Sequence, residues 1–152
     1  MSTPPPVLTE LKLTDDMKNA VNSGFGTGKP LAISYVDESG APQLSYRGST
    51  QAYSDTQLAI WVRNPEGRIL ESIAKNPAVA LIYGNFDPNN RGFMIFGGRA
   101  RIDASETVRQ RVYDQSHEYE RSQDKDRKGL AMLIDLDRVE GFFGGARLKM
   151  KR

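Results

Sequence analysis

The sequence predicts a mainly β domain, a small antiparallel barrel of about six strands with helices at its periphery. Short apolar runs of strand length recur along it, as in Leu58-Ala59-Ile60-Trp61-Val62 and Ala78-Val79-Ala80-Leu81-Ile82-Tyr83. Turn chemistry separates them, as in Asp37-Glu38-Ser39-Gly40 and Asn64-Pro65-Glu66-Gly67. Helical periodicity is confined to a few short stretches between these runs.

Taken in order, residues 1–12 read as an extended tail, because Pro4-Pro5-Pro6 favours the polyproline conformation. Thr14 and the acids Asp15 and Asp16 suit a helix start, and Met17, Ala20 and Val21 give that helix one apolar face up to Gly24. Gly24, Gly26 and Gly28 alternate as in a dinucleotide fingerprint, but they follow a helix and precede a strand, the reverse of that motif, so they read as a flexible connection. Strands are predicted over Leu31–Val36 and Gln43–Tyr53. Alternation in the second puts Ser45, Arg47, Ser49 and Gln51 on one face, either at the surface or lining a polar site.

Leu58–Val62 is the third strand. Ile69, Leu70, Ile73 and Ala74 then give a short helix, closed by Asn76-Pro77 because the residue before proline avoids the helical region. Ala78–Tyr83 is apolar on both faces and reads as a central strand. Phe93–Ile102 follows, with Gly97-Gly98 marking a bulge, a bend or a close approach. Asp103-Ala104-Ser105-Glu106 starts a mostly solvated helix with a thin stripe of Val108, Val112 and Tyr119, and Ser122–Lys128 reads as a charged loop. The last strand is predicted over Gly129–Leu136. In Gly141-Phe142-Phe143-Gly144-Gly145 the adjacent rings cannot both point inward, so one faces solvent, a ligand or another subunit.

A chain of 152 residues without an internal repeat or composition shift reads as one domain. Its net charge of +2 argues against a dedicated nucleic-acid binder. Without cysteine it has no disulfide, thiolate nucleophile or iron–sulfur cluster, which fits a reducing cytosol. The single histidine, His117, argues against a polyhistidine metal site and a Ser-His-Asp triad. No apolar run approaches the ~20 residues of a membrane span, so a soluble, cytoplasmic protein with no membrane partner is expected.

The functional signal lies in the arginines. Arg63 and Arg68 flank a glycine-containing turn just before a helix, and Arg47 sits on the preceding strand. Backbone N–H groups at a helix start, joined by guanidinium forks, suit a phosphate group. Arg147, Lys149, Lys151 and Arg152 crowd the end of the chain, as a solvated tail or a second anion-binding group.

The succession Arg47-Gly48-Ser49-Thr50, Ile60-Trp61-Val62, the turn to Arg68, Asn76-Pro77-Ala78-Val79 and Gly98-Arg99-Ala100 resembles the flavin-binding split-barrel superfamily, of which pyridoxamine 5′-phosphate oxidase is a member. The likeness runs over Leu31–Lys149. It implies a six-stranded antiparallel split barrel of the FMN-binding type, and a homodimer with cofactor at the subunit interface. It also implies that Arg47 and Arg68 hold the FMN phosphate, with Ser49 and Thr50 on the phosphate, ribityl chain or ring edge. Trp61 and Val62 would then lie beside the isoalloxazine with Arg63 close by, and Phe142 and Arg147 would match an aromatic and an arginine reaching in from the other subunit.

The resemblance breaks where the oxidase grips its substrate. Its Arg-Leu-His-Asp-Arg segment corresponds to Arg147-Leu148-Lys149-Met150-Lys151, without histidine or acid, and its glutamine near the fifth strand is replaced around Phe93 by apolar residues. This points away from vitamin B6 and toward a flavin-dependent oxidoreductase acting on another small molecule. The cofactor carries hydride chemistry itself, so no catalytic residue is assigned. Two alternatives share the fold: a reductase using the deazaflavin F420, and a non-catalytic module holding flavin or haem, for which His117 is the only histidine ligand.

Overall fold

The computed structural model describes residues 3–152. In chain order its elements are β1 (Val7–Glu10), α1 (Asp15–Ser23), β2 (Ala32–Val36), β3 (Pro42–Tyr46), β4 (Gln51–Ser54), β5 (Gln57–Val62) and α2 (Arg68–Lys75). Then come β6 (Ala78–Asn85), β7 (Gly92–Asp103), α3 (Glu106–Gln115), α4 (Glu118–Ser122), β8 (Leu130–Phe143) and β9 (Ala146–Lys151). The strands form one 9-stranded sheet in the order β1-β9-β8-β7-β6-β2-β3, and β5 joins β8 on one side and β4 on the other.

The expected mainly β architecture with peripheral helices is present, but three local events make nine strands out of the predicted six. Residues 43–53 are not one strand. They break into β3 and β4 because Thr50 donates to the Arg47 carbonyl from both its backbone N–H (3.2 Å) and its hydroxyl (2.7 Å), closing a turn. The strand predicted to end at Leu136 runs on to Phe143 and turns back through Gly144-Gly145 into β9. The expected tail is a strand from Val7, whose pairing with β9 is parallel, so the sheet is mixed rather than wholly antiparallel. Leu8 packs against the core there and the Arg147 N–H donates to the Pro6 carbonyl at 2.8 Å, covering an edge that would otherwise offer free backbone groups. Met1 and Ser2, the start of that expected tail, lie outside the described residues.

β8 is long enough to serve both halves of the sheet. Leu130–Asp135 pairs with β5, Arg138–Phe143 pairs with β9, and β7 runs alongside throughout. The register slips between Gly97 and Gly98, which is the bulge the glycine pair predicts. A Cβ on Gly98 would collide with the Asp135 carbonyl oxygen, so the β8 backbone passes too close for a side chain there.

Both faces of β5 are buried, on different cores. Leu58, Ile60 and Val62 join the main core with Ile33, Leu81, Phe96, Met132 and Ile134. Ala59 and Trp61 face the other way, into a smaller core with Ala131, Leu133 and Val112 of α3. α1 closes one end of the main core with Met17 and Val21, its first turn capped by the Thr14 hydroxyl on Met17 N–H at 3.2 Å. α2 adds Ile69 and Ile73. α3 starts at Ser105, as the sequence predicts, and fully buries only Val112. The charged loop expected from Ser122 begins inside a short helix, α4.

β6 lies between β2 and β7, but only one of its faces is covered. Val79, Leu81 and Tyr83 enter the core, whereas Ile82 stays 45% exposed. The two phenylalanines divide as the alternation requires: Phe143 packs against the core and Phe142 is exposed. Among the described residues no helix is long and apolar enough to cross a membrane.

Candidate anion-binding cleft

The break between β3 and β4 builds the site. The Arg47 N–H donates to the Leu31 carbonyl at 2.9 Å, while its own carbonyl takes both Thr50 bonds, so the backbone at Arg47 is fixed on both sides. Ser49 then ties the turn to β5, since its hydroxyl accepts from Trp61 N–H and donates to the Trp61 carbonyl, each at 3.0 Å. Gln51 adds a tie to α3 by donating to the Ser49 and Val112 carbonyls at 3.2 and 3.1 Å. The result is a cleft of about 320 Å³ walled by Arg47, Gly48 and Ser49 of the turn, Trp61 and Arg63 at the end of β5, and Glu120 of α4.

Its electrostatics are unbalanced. The Nε of Arg47 is buried without a hydrogen-bond partner. Burial first of all, with the like charge of Arg63 adding to it, pushes the Arg47 guanidinium below its ordinary pKa, against the opposing pull of Tyr35 and Glu120. Glu120 is 8% exposed, and its Oε2 stands 3.6 Å from Arg63 Nε. Two guanidinium groups therefore share one carboxylate, and Arg47 retains an unused donor pointing into protein rather than water. Such an unmet donor costs about 1–3 kcal/mol, and a pair of guanidinium groups lining one cleft suits an oxyanion.

Gly48 is required at the floor of the cleft. A Cβ there would sit 2.7 Å from Phe25 Cδ2 and closer still to the Glu120 carboxylate. Phe25 meets the His117 ring edge-on at 4.8 Å and stacks on Tyr119 at 5.8 Å, which fastens α4 against the glycine-rich connection after α1. His117 caps α4, its Nδ1 accepting from Tyr119 N–H at 3.0 Å.

The structure thus brings Arg47, Ser49, Trp61 and Arg63 to one cleft. The side chains of Ser49 and Thr50 are spent on backbone partners within the turn, leaving main-chain groups to meet a ligand. The Trp61 indole is turned away into the smaller core, donating to Asp124 Oδ2 at 2.9 Å with Tyr113 against its face edge-on. Val62 is buried in the main core, and neither Thr50, Val62 nor the exposed Arg68 lines the cleft. Phe142 and Arg147 are cross-strand partners on β8 and β9 and also lie outside it. Tyr46, Gly48, Asn64, Glu120 and Gln123 also line the cleft and are not among the site residues expected from the sequence. Gly48 had a signal, standing between an arginine and two hydroxyl residues, whereas Glu120 comes from a distant helix with no motif around it.

An apolar face adjoins the cleft. Leu44 and Tyr46 of β3 are each 74% exposed. Register places Tyr46, Ala32 and Ile82 side by side across three strands, with Phe93 and Phe142 paired farther along the sheet. A groove of about 830 Å³ runs along this face between Pro30, Tyr46, Ile82, Phe86 and Phe93. Tyr46 lines both the groove and the cleft.

No protein-family model matches the chain, and no curated protein matches it in sequence. Solved structures share its fold. HupZ of Group A Streptococcus aligns with a TM-score of 0.63 at 18% identity, over 88% of this chain and 97% of that one. An FMN-binding protein from Syntrophomonas wolfei subsp. wolfei gives 0.63 at 7% identity, over 83% and 86%. A Clostridium acetobutylicum protein of the pyridoxinephosphate oxidase family, related to general stress protein 26 of B. subtilis, gives 0.60 at 10% identity, over 88% and 95%. The chain therefore shares the fold of these proteins, a mainly β sheet with peripheral helices.

Proposed function

We propose that the chain is an FMN-binding oxidoreductase, working as a homodimer, that moves hydride between the flavin and a small organic substrate other than vitamin B6. The observation that carries this reading is the pair of guanidinium groups, Arg47 and Arg63, brought together with the Gly48–Ser49 turn in a cleft that opens next to an uncovered apolar face. A phosphate monoester satisfies the first feature, and a second copy of the chain covers the second.

In this reading Arg47 and Arg63 hold the phosphate, while Ser49 and Thr50 act by holding the turn that carries Arg47. Arg68, exposed at the start of α2, serves as an outer cation that raises the local potential. Phe142 and Arg147 belong to the apolar face and so meet the partner subunit. FMN, when bound, supplies the hydride acceptor, and the protein supplies orientation, charge and exclusion of water. The absence of histidine and acid from Arg147-Leu148-Lys149-Met150-Lys151 is what separates the substrate from a pyridoxal phosphate.

The test is an absorbance titration of the purified protein with FMN, run beside a measurement of its mass in solution. One flavin per chain and the mass of a dimer are expected. A monomer whose spectrum gains nothing on titration sinks the proposal. Oxidation of reduced nicotinamide by the loaded protein then separates an enzyme from a carrier.

A further inference from the structure

Glu120 stands in the cleft where an anion is expected, and the fold holds it there. It lies on α4, only 5 residues long, which His117 caps and Phe25 braces. Tyr113 secures the same segment by donating to the carbonyls of Arg121 and Asp124 at 3.2 and 3.0 Å. Arg121 reaches back to the Asp114 carbonyl at 3.0 Å. The carboxylate is thus carried by a braced helix, while the 3.6 Å from Oε2 to Arg63 Nε is an ion-pair distance, too long for a hydrogen bond. Its interaction with the arginines is therefore one of charge, and another anion can compete with it.

We infer that Glu120 is the built-in counter-ion of the Arg47 and Arg63 pair, competing with the phosphate monoester for their charge, so that it sets the affinity of the cleft and makes the ligand exchangeable. The inference rests on the proposed phosphate site. Without ligand, the carboxylate offsets the repulsion between two guanidinium groups, one of them largely buried. With ligand, it becomes a like charge beside the phosphate and weakens binding. A residue needed only for packing would affect every ligand equally, whereas a counter-ion acts on the charged part alone.

Glu120→Gln keeps the shape and removes the charge. Flavin-fluorescence titrations with FMN and with riboflavin, which lacks the phosphate, read the difference. The variant is expected to bind FMN about tenfold more tightly or better, given two unit charges a few ångströms apart near a protein surface, and riboflavin as wild type does. It is also expected to melt at a lower temperature without ligand and to gain more from added FMN. Glu120→Asp, which retains the charge, should keep the wild-type ratio of FMN to riboflavin affinity. A Glu120→Gln protein that folds only in inorganic phosphate supports the inference, and one that stays unfolded in phosphate overturns it. Equal changes for FMN and riboflavin, or unchanged FMN affinity in a folded variant, also overturn it while leaving the flavin reading in place. If neither wild type nor variant binds FMN, both fall.

Discussion

Replacing Arg47 by methionine should make the ligand-free protein more stable and the FMN-loaded protein less so. Methionine keeps most of the side-chain stem against its neighbours and discards the buried donor that has no partner. Removing that uncompensated group is worth about 1 kcal/mol, the low end of the penalty for an unsatisfied buried donor, because the rest of the guanidinium keeps some access to water. The backbone bonds from Arg47 to Leu31 and Thr50 do not involve the side chain, so the turn survives. Loss of a charge-assisted bond to the phosphate costs about 1.5–3 kcal/mol of binding, roughly tenfold to over a hundredfold in Kd. At a free FMN concentration 100 times the wild-type Kd, FMN stabilises wild type by about 2.7 kcal/mol and the variant by only about 0.3–1.3 kcal/mol. That shortfall exceeds the gain from the substitution, so the order of stabilities reverses on adding FMN. Urea unfolding with and without FMN measures it. A variant less stable than wild type without ligand, yet stabilised by FMN as much as wild type, would make Arg47 a structural residue and refute the reasoning.

Trp61→Phe should cost about 1.5 kcal/mol or more by urea unfolding, since it removes the indole bond to Asp124. The same bond, with those from Lys128 and Gly129 N–H, holds the Asp124 carboxyl below its usual range despite the opposing effect of burial. Asp37 gathers the β2–β3 hairpin by accepting from the Ser39 hydroxyl, from Ser39 and Ala41 N–H and from Gln43, which lowers its pKa to about 2. With an unfolded value of about 3.9, its contribution is complete above that pH and fades as pH falls through about 2, so the stability gap between wild type and Asp37→Asn should close over this window in melts at decreasing pH. Ile82→Asp places a charge in the uncovered apolar face and should yield a folded monomer by light scattering, with weakened FMN binding. An unchanged dimer mass would remove this face from the interface.

The elements legible in the sequence are those whose signals are local. α2 is bracketed by a glycine turn and Asn76-Pro77, and β7 announces its bulge in Gly97-Gly98. The break at Arg47–Thr50 was not legible, because polar alternation continues straight through it and the bond that fixes Ser49 reaches across the sheet to Trp61. Both faces of β5 are apolar, so the pattern could not tell that Trp61 turns toward α3 while Val62 turns into the main core. The parallel pairing of β1 depends on β9, at the opposite end of the chain. In the cleft, Arg63 could be read from turn chemistry and Arg47 only as a polar residue on a strand face, whereas Glu120 could not be read at all, since only the tertiary fold brings α4 to the end of β5.

The backbone path through Arg47 is imposed by its surroundings. The chain is fixed by backbone bonds on both sides of that residue, Gly48 leaves no room beside it, and Ser49 is anchored to a strand buried on both faces. These ties fix where the Arg47 side chain starts from, while its own torsions stay outside them. That is why a turn stabilised by hydroxyl groups, which taken alone would be an ordinary connection between strands, becomes the most informative few residues in the molecule.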